Sequence, residues 1–81
     1  MTSKFYQFKL DTHLAKDVSV IVKSPEADAR TDAYTIAFKE FGRIARIVSE
    51  GKALSRLPKD AYPVKNAISR ADGQWGWVLL K

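Results

Sequence analysis

The chain has no cysteine, one histidine, four glycines and three prolines in 81 residues. Without thiols it has no disulfide framework and no thiolate metal site. Any metal would then need a tight carboxylate cluster, and Asp11, His13 and Asp17 form the one grouping to consider. No apolar run approaches the ~20 residues of a helical membrane crossing. Residues 1–9 alternate and carry charge, unlike the apolar heart of a signal peptide. The expectation is one soluble, cytoplasmic domain spanning 1–81, with no membrane contact.

Catalytic signatures are also lacking. There is no Gly-rich phosphate loop and no HEXXH metal motif. Nothing marks Ser19, Ser24, Ser49, Ser55 or Ser69 as a nucleophile, because a Ser-His-Asp triad needs a positioned serine and an oxyanion hole. Asp28 and Asp32 share a helix face, but such a pair ordinarily solvates that face and complements the N-terminal dipole. The chain is read as non-enzymatic and without a cofactor.

What is present is a helix with a start, a body and a stop. Ser24 is placed to cap it, Pro25 suits its first position, and Gly42 suits its left-handed end. Between them Ala33, Ile36, Ala37 and Phe41 recur at helical spacing, and Tyr34 and Phe38 widen the stripe, which is read as core. The alanines allow close approach to a sheet.

The sheet is legible as alternation. Over 4–11, Tyr6, Phe8 and Leu10 face one way, and Phe5, Gln7 and Lys9 the other. Over 17–23, Val18, Val20 and Val22 oppose Ser19, Ile21 and Lys23. The two strands read as an antiparallel hairpin with one face under the helix and one face wet. Residues 43–49 favour a third strand by β-branched content, although a helical continuation would gather Ile44, Ile47 and Val48 on one face. Residues 50–63 read as an irregular loop broken by Pro58 and Pro63, with one helical turn at 53–57. A second hairpin follows, with 64–69 as one arm, Asp72-Gly73 as the turn and 74–80 as the other arm. In that last arm Trp75, Trp77 and Leu79 share a face opposite Gly76, Val78 and Leu80; bulk on both sides predicts a central or doubly covered strand. The fold expected is α+β, one long helix on an antiparallel sheet of four or five strands, in the order β-β-α-β-loop-β-β.

Charge is unevenly placed. Residues 1–42 balance six Lys/Arg against six acids, and 71–81 also balance. The whole net charge of +5 lies in 43–70, where Arg43, Arg46, Lys52, Arg56, Lys59, Lys65 and Arg70 face Glu50 and Asp60. These cations form the candidate binding site, suited to nucleic acid, to a nucleoprotein complex or to an acidic protein surface. Only Tyr62 interrupts the run as an aromatic, so base stacking gets little support. The alternative is a protein–protein module or homodimer that uses a sheet edge and exposed aromatics such as Phe5 and Trp75.

The layout resembles that of small phage-encoded anti-CRISPR proteins. The resemblance rests on the strand 18–22, the helix closing at Phe41-Gly42, the basic segment 43–48 and the terminal Gln74-Trp-Gly-Trp-Val-Leu-Leu arm. It covers element order over most of the chain and no diagnostic motif, so no site residue is carried over. It implies an inhibitor that binds a host nucleoprotein effector and blocks target DNA or nuclease recruitment. Many of that group are acidic DNA mimics, whereas this chain is basic. The departure argues against mimicry and suits docking on an acidic patch, or contact with nucleic acid held in a complex.

Overall fold

The computed structural model describes residues 4–64, 69–70, 73–74 and 76–80. Its elements are β1 (Lys4–Thr12), β2 (Val18–Ser24), α1 (Glu26–Phe41), β3 (Ile44–Leu54), β4 (Tyr62–Pro63), β5 (Ser69–Arg70), β6 (Gly73–Gln74) and β7 (Gly76–Leu80). Five strands form one antiparallel sheet in the order β3-β1-β2-β7-β4, and β5 and β6 pair separately. The architecture is α+β, one helix on that sheet.

β1 and β2 pair as their alternation predicts. Tyr6, Phe8 and Leu10 stand opposite Val22, Val20 and Val18. All six belong to the core cluster with Ala29, Ala33, Ile36 and Ala37 of α1, and Val64 joins them. Three of the four helix residues are alanine, so the helix axis can approach the sheet closely and bury backbone and Cβ atoms together.

The start of α1 differs from expectation. Pro25, with φ −58° and ψ 147°, takes the cap position, and no side chain caps the helix. Its carbonyl accepts from the Asp28 and Ala29 N–H groups at 3.0 and 3.1 Å. Ser24 instead ends β2, where the even-numbered side chains point toward the helix. Its buried hydroxyl donates to Asp32 Oδ2 at 2.7 Å. Asp32 is therefore turned into the interior, while Asp28 stays exposed, so the expected solvated pair is split. A hydrogen bond to a charged group contributes about 1.5–3 kcal/mol, and it joins the end of β2 to the second turn of α1. Gly42 ends the helix at φ +81°, its N–H donating to the Phe38 carbonyl at 2.9 Å.

The far side of β2 also departs from expectation. Ile21 is 0%, Ser19 2% and Gln7 9% exposed, so this face is covered at its centre and not wet. Beside Ile21, Trp77 pairs in register and packs edge-on against Phe5 at 5.6 Å. The last strand is central, as both-sided bulk predicts: β7 lies between β2 and β4.

The segment after Gly42 is strand, not continued helix: β3 begins at Ile44, one residue after Arg43, and runs on through Leu54, so no helical turn forms at 53–57. In the second hairpin Ser69 pairs with Gln74 and Arg70 with Gly73, which places Gly73 in a strand rather than in the turn. The other turn residue, Asp72, and the arm residues 65–68 and Trp75 lie outside the described residues.

Covering β2 on both faces makes a quantitative prediction. Ile21→Ala should destabilise by about 2–5 kcal/mol in urea unfolding, as for other deep truncations. Ile47→Ala, on the exposed edge, should stay within about 0.5 kcal/mol. A cost below ~1 kcal/mol at Ile21 would show that the far face is open.

Candidate interaction surface

β3 is an edge strand, with β1 as its sole neighbour among the described residues. β-branched Ile44, Ile47 and Val48 suit it to a pleated surface. Its register against β1 slips three times, between Gln7 and Lys9, Lys9 and Leu10, and Asp11 and Thr12. Each slip gives β3 an unpaired residue, which explains how an 11-residue strand fits against the shorter β1. Gly51 lies in one of these bulges at φ +69°, a conformation that side-chain-bearing residues rarely adopt.

The structure brings only part of the predicted cation set together. Arg46 stands opposite Asp11, and Lys52 opposite Gln7, on the sheet face away from α1. Arg43 precedes the strand, its carbonyl accepting from the His13 N–H at 2.8 Å. Arg56 and Lys59 belong to the connection 55–61. All five are exposed, and the one ion pair among the described residues, Arg30–Glu50, includes none of them. Judged from the β1 residues opposite, Arg43 and Lys52 stand roughly 20 Å apart at ~3.3 Å per residue. That exceeds the Debye length of about 8 Å at physiological salt, so the two ends of β3 act as separate positive regions. Of the remaining candidates, Lys65 lies outside the described residues and Arg70 pairs through its backbone with Gly73.

Glu50, the one acid of β3, is held internally. Its Oε1 accepts a hydrogen bond from the Tyr34 hydroxyl and lies 3.3 Å from Arg30 Nη2. The Arg30 guanidinium sits 5.6 Å from the centre of the Tyr34 ring, and that ring packs edge-on against Phe8 at 6.0 Å. This clip ties α1 to β3 beside the Gly51 bulge. It also removes Glu50 as a competitor for the strand's cations.

Two shallow depressions lie beside the Arg43 end. Thr31, Tyr34, Thr35, Phe38, Lys39 and Ile44 line an open groove of ≈ 520 Å³. His13, Phe38 and Arg43 line a second of ≈ 450 Å³, so Phe38 stands between the two. Phe38 is 63% exposed, which corrects its assignment to the core. The core-facing stripe runs through Ala37 to the partly buried Phe41, and position 38 turns about 100° past Ala37 toward the edge, beyond the side chains of the sheet. Leu14, 71% exposed, lies near Gly42. Of the aromatics expected at a surface, Phe5 is half-buried against Trp77 and Trp75 lies outside the described residues. Among the described residues the exposed rings are those of Phe38 and Tyr62. Phe38 was hidden in the sequence because its spacing also fits a wider core stripe.

The grouping Asp11, His13 and Asp17 is a turn: Asp11 Oδ1 accepts the Asp17 backbone N–H at 2.9 Å, supporting Asp17 at φ 55°. No group of three possible metal-ligating side chains forms among the described residues. No family model, curated protein or solved structure matches the chain.

The clip has a pH signature. Burial, and then donation to Glu50, raise the Tyr34 phenol above its ordinary value. A raised value means that the folded state holds the proton more tightly than the unfolded chain. The stabilisation is therefore complete below the ordinary tyrosine value of about 10 and is lost as pH climbs through the folded value. Between about pH 9 and pH 11 the parent should lose more stability than Tyr34→Phe in urea unfolding. Parallel losses would remove Tyr34 as the titrating link.

Proposed function

We propose that the protein is a non-enzymatic binding module whose basic β3 side and following connection engage nucleic acid or a complex that handles it. One observation carries the reading: Arg43, Arg46, Lys52, Arg56 and Lys59 are exposed and outside the ion pair, while β3's acid is held by Arg30 and Tyr34. Exposed cations raise the local concentration of anionic partners and speed encounter, with an effect that salt weakens. An inhibitor of a host CRISPR effector is one form of this module, since such an effector presents both acidic protein surface and bound nucleic acid.

A protein–protein reading is favoured by a separate observation. β3 is an open edge beside exposed Ile47, Val48 and Phe38. The two readings differ in salt dependence. Four phosphate contacts would weaken binding about 100-fold between about 50 and 200 mM salt, whereas apolar contacts barely respond.

The test is capture from a lysate, with and without nuclease, using the parent and a variant carrying Arg43→Gln, Arg46→Gln, Arg56→Gln and Lys59→Gln. The variant should keep its fold by circular dichroism and lose capture by about tenfold or more, equivalent to about 1.4 kcal/mol. Undiminished capture would refute the basic side as the contact surface. Capture that disappears with nuclease assigns nucleic acid as the bridge.

A further inference from the structure

The surface at the Arg43 end of β3 combines three features that the cation pattern alone does not explain. Phe38 projects between two depressions instead of packing inward. The larger groove is walled mainly by the apolar parts of Tyr34, Thr31, Thr35 and Ile44. Its rim is positive: Lys39 borders one depression and Arg43 the other, and both are exposed. Glu50, the nearby acid on β3, is already bound by Arg30 and Tyr34.

We propose that this surface docks an acidic segment of a partner protein, one that places a single aromatic or aliphatic side chain in the groove against Phe38 and its flanking carboxylates on Lys39 and Arg43. The proposal rests on the preceding reading that the basic β3 side is the contact surface, and it names the partner as protein. Interfaces concentrate their binding free energy in a few buried anchors, and a ring beside a preformed apolar recess is such a place. Charge at the rim steers the encounter and selects acidic sequences.

The occupant is not a sheet-extending strand. Three register slips within β3 twist and interrupt the row of outward backbone groups that strand addition would require. Nor do the cations make a phosphate track. Arg43 and Lys52 are roughly 20 Å apart at ~3.3 Å per opposing residue, with Glu50 and its clip between them. A second copy of this chain is also disfavoured, because facing two such rims would oppose Lys39 and Arg43 to their own kind.

A random linear peptide library selected against the full chain tests this directly. Recovered peptides should be enriched in Asp and Glu around one Trp, Phe or Leu. Binding of the best peptide should fall about 30-fold or more in Phe38→Ser, the loss of a hot-spot contact of about 2 kcal/mol. Lys39→Gln with Arg43→Gln should weaken it chiefly at low salt. Phe38 is exposed, so the variant should retain the parent's melting temperature, which confirms that the loss is local.

Peptides without acidic bias would overturn the proposal. So would acidic peptides indifferent to Phe38→Ser yet sensitive to Arg43→Gln and Arg46→Gln; the basic side would then stand as the contact surface without its anchor. Failure to recover peptides, together with Phe38-dependent binding of single-stranded oligonucleotide, would assign the surface to nucleic acid. A dimer in sedimentation that Phe38→Ser dissolves would assign it to a second copy.

Discussion

β2 has almost no exposed side, and that constraint organises the molecule. Val18, Ser19, Val20, Ile21, Val22 and Ser24 are each no more than 2% exposed. A chain of this length buries only about 60–65% of its extended surface, so a single-faced core would be thin. Placing one strand under cover on both faces lets it contribute side chains to two layers. The neighbours then have little choice of position. β1 and β7 flank β2, the alanine-rich stripe of α1 lies over the valines, and Ser24 joins the strand to the helix through Asp32.

The same economy leaves β3 at the rim, where it carries little of the core. Its pattern of exposure, its cations and its three register slips fit one physical account. Bulges and charges keep an open edge from pairing with other chains. They also present successive side chains, such as Ile47 and Val48, to solvent on a strand that remains attached to a rigid neighbour. The Arg30–Tyr34–Glu50 clip holds this rim to the helix and pairs the strand's one acid. Stability is thereby concentrated in β2 and the elements packed on it, and residues such as the exposed Phe38 and Arg43 can vary without disturbing the core.

Much of the fold was legible because alternation and helical spacing report burial directly. Tyr6, Phe8 and Leu10 opposite the β2 valines, and Ala33, Ile36 and Ala37 on the helix, occupy the places that their periodicity assigns. What was not legible depended on width, depth or register. Ser24 can cap a helix or bond to one, and the direction of its side chain at the end of β2 decides between them. Ile21 alternates like a residue on a wet face, and periodicity cannot reveal a covered second face. Phe38 fits a broad helical stripe, but the sheet covers only a narrow one. Bulges in β3 break the alternation that would have extended it to Leu54, and the last hairpin pairs one position away from its expected turn. Exposure of Arg43, Arg46 and Lys52 was readable from their charge. Their spread along an edge was not, because distance follows from register.

Native-state amide hydrogen exchange tests the division between a braced core and a lightly held rim most directly. The account predicts that β2 amides exchange only through global unfolding, whereas β3 amides bonded to β1 exchange at least about tenfold faster through local opening. Equal protection in β2 and β3 would contradict it, because the rim would then be as firmly built as the core.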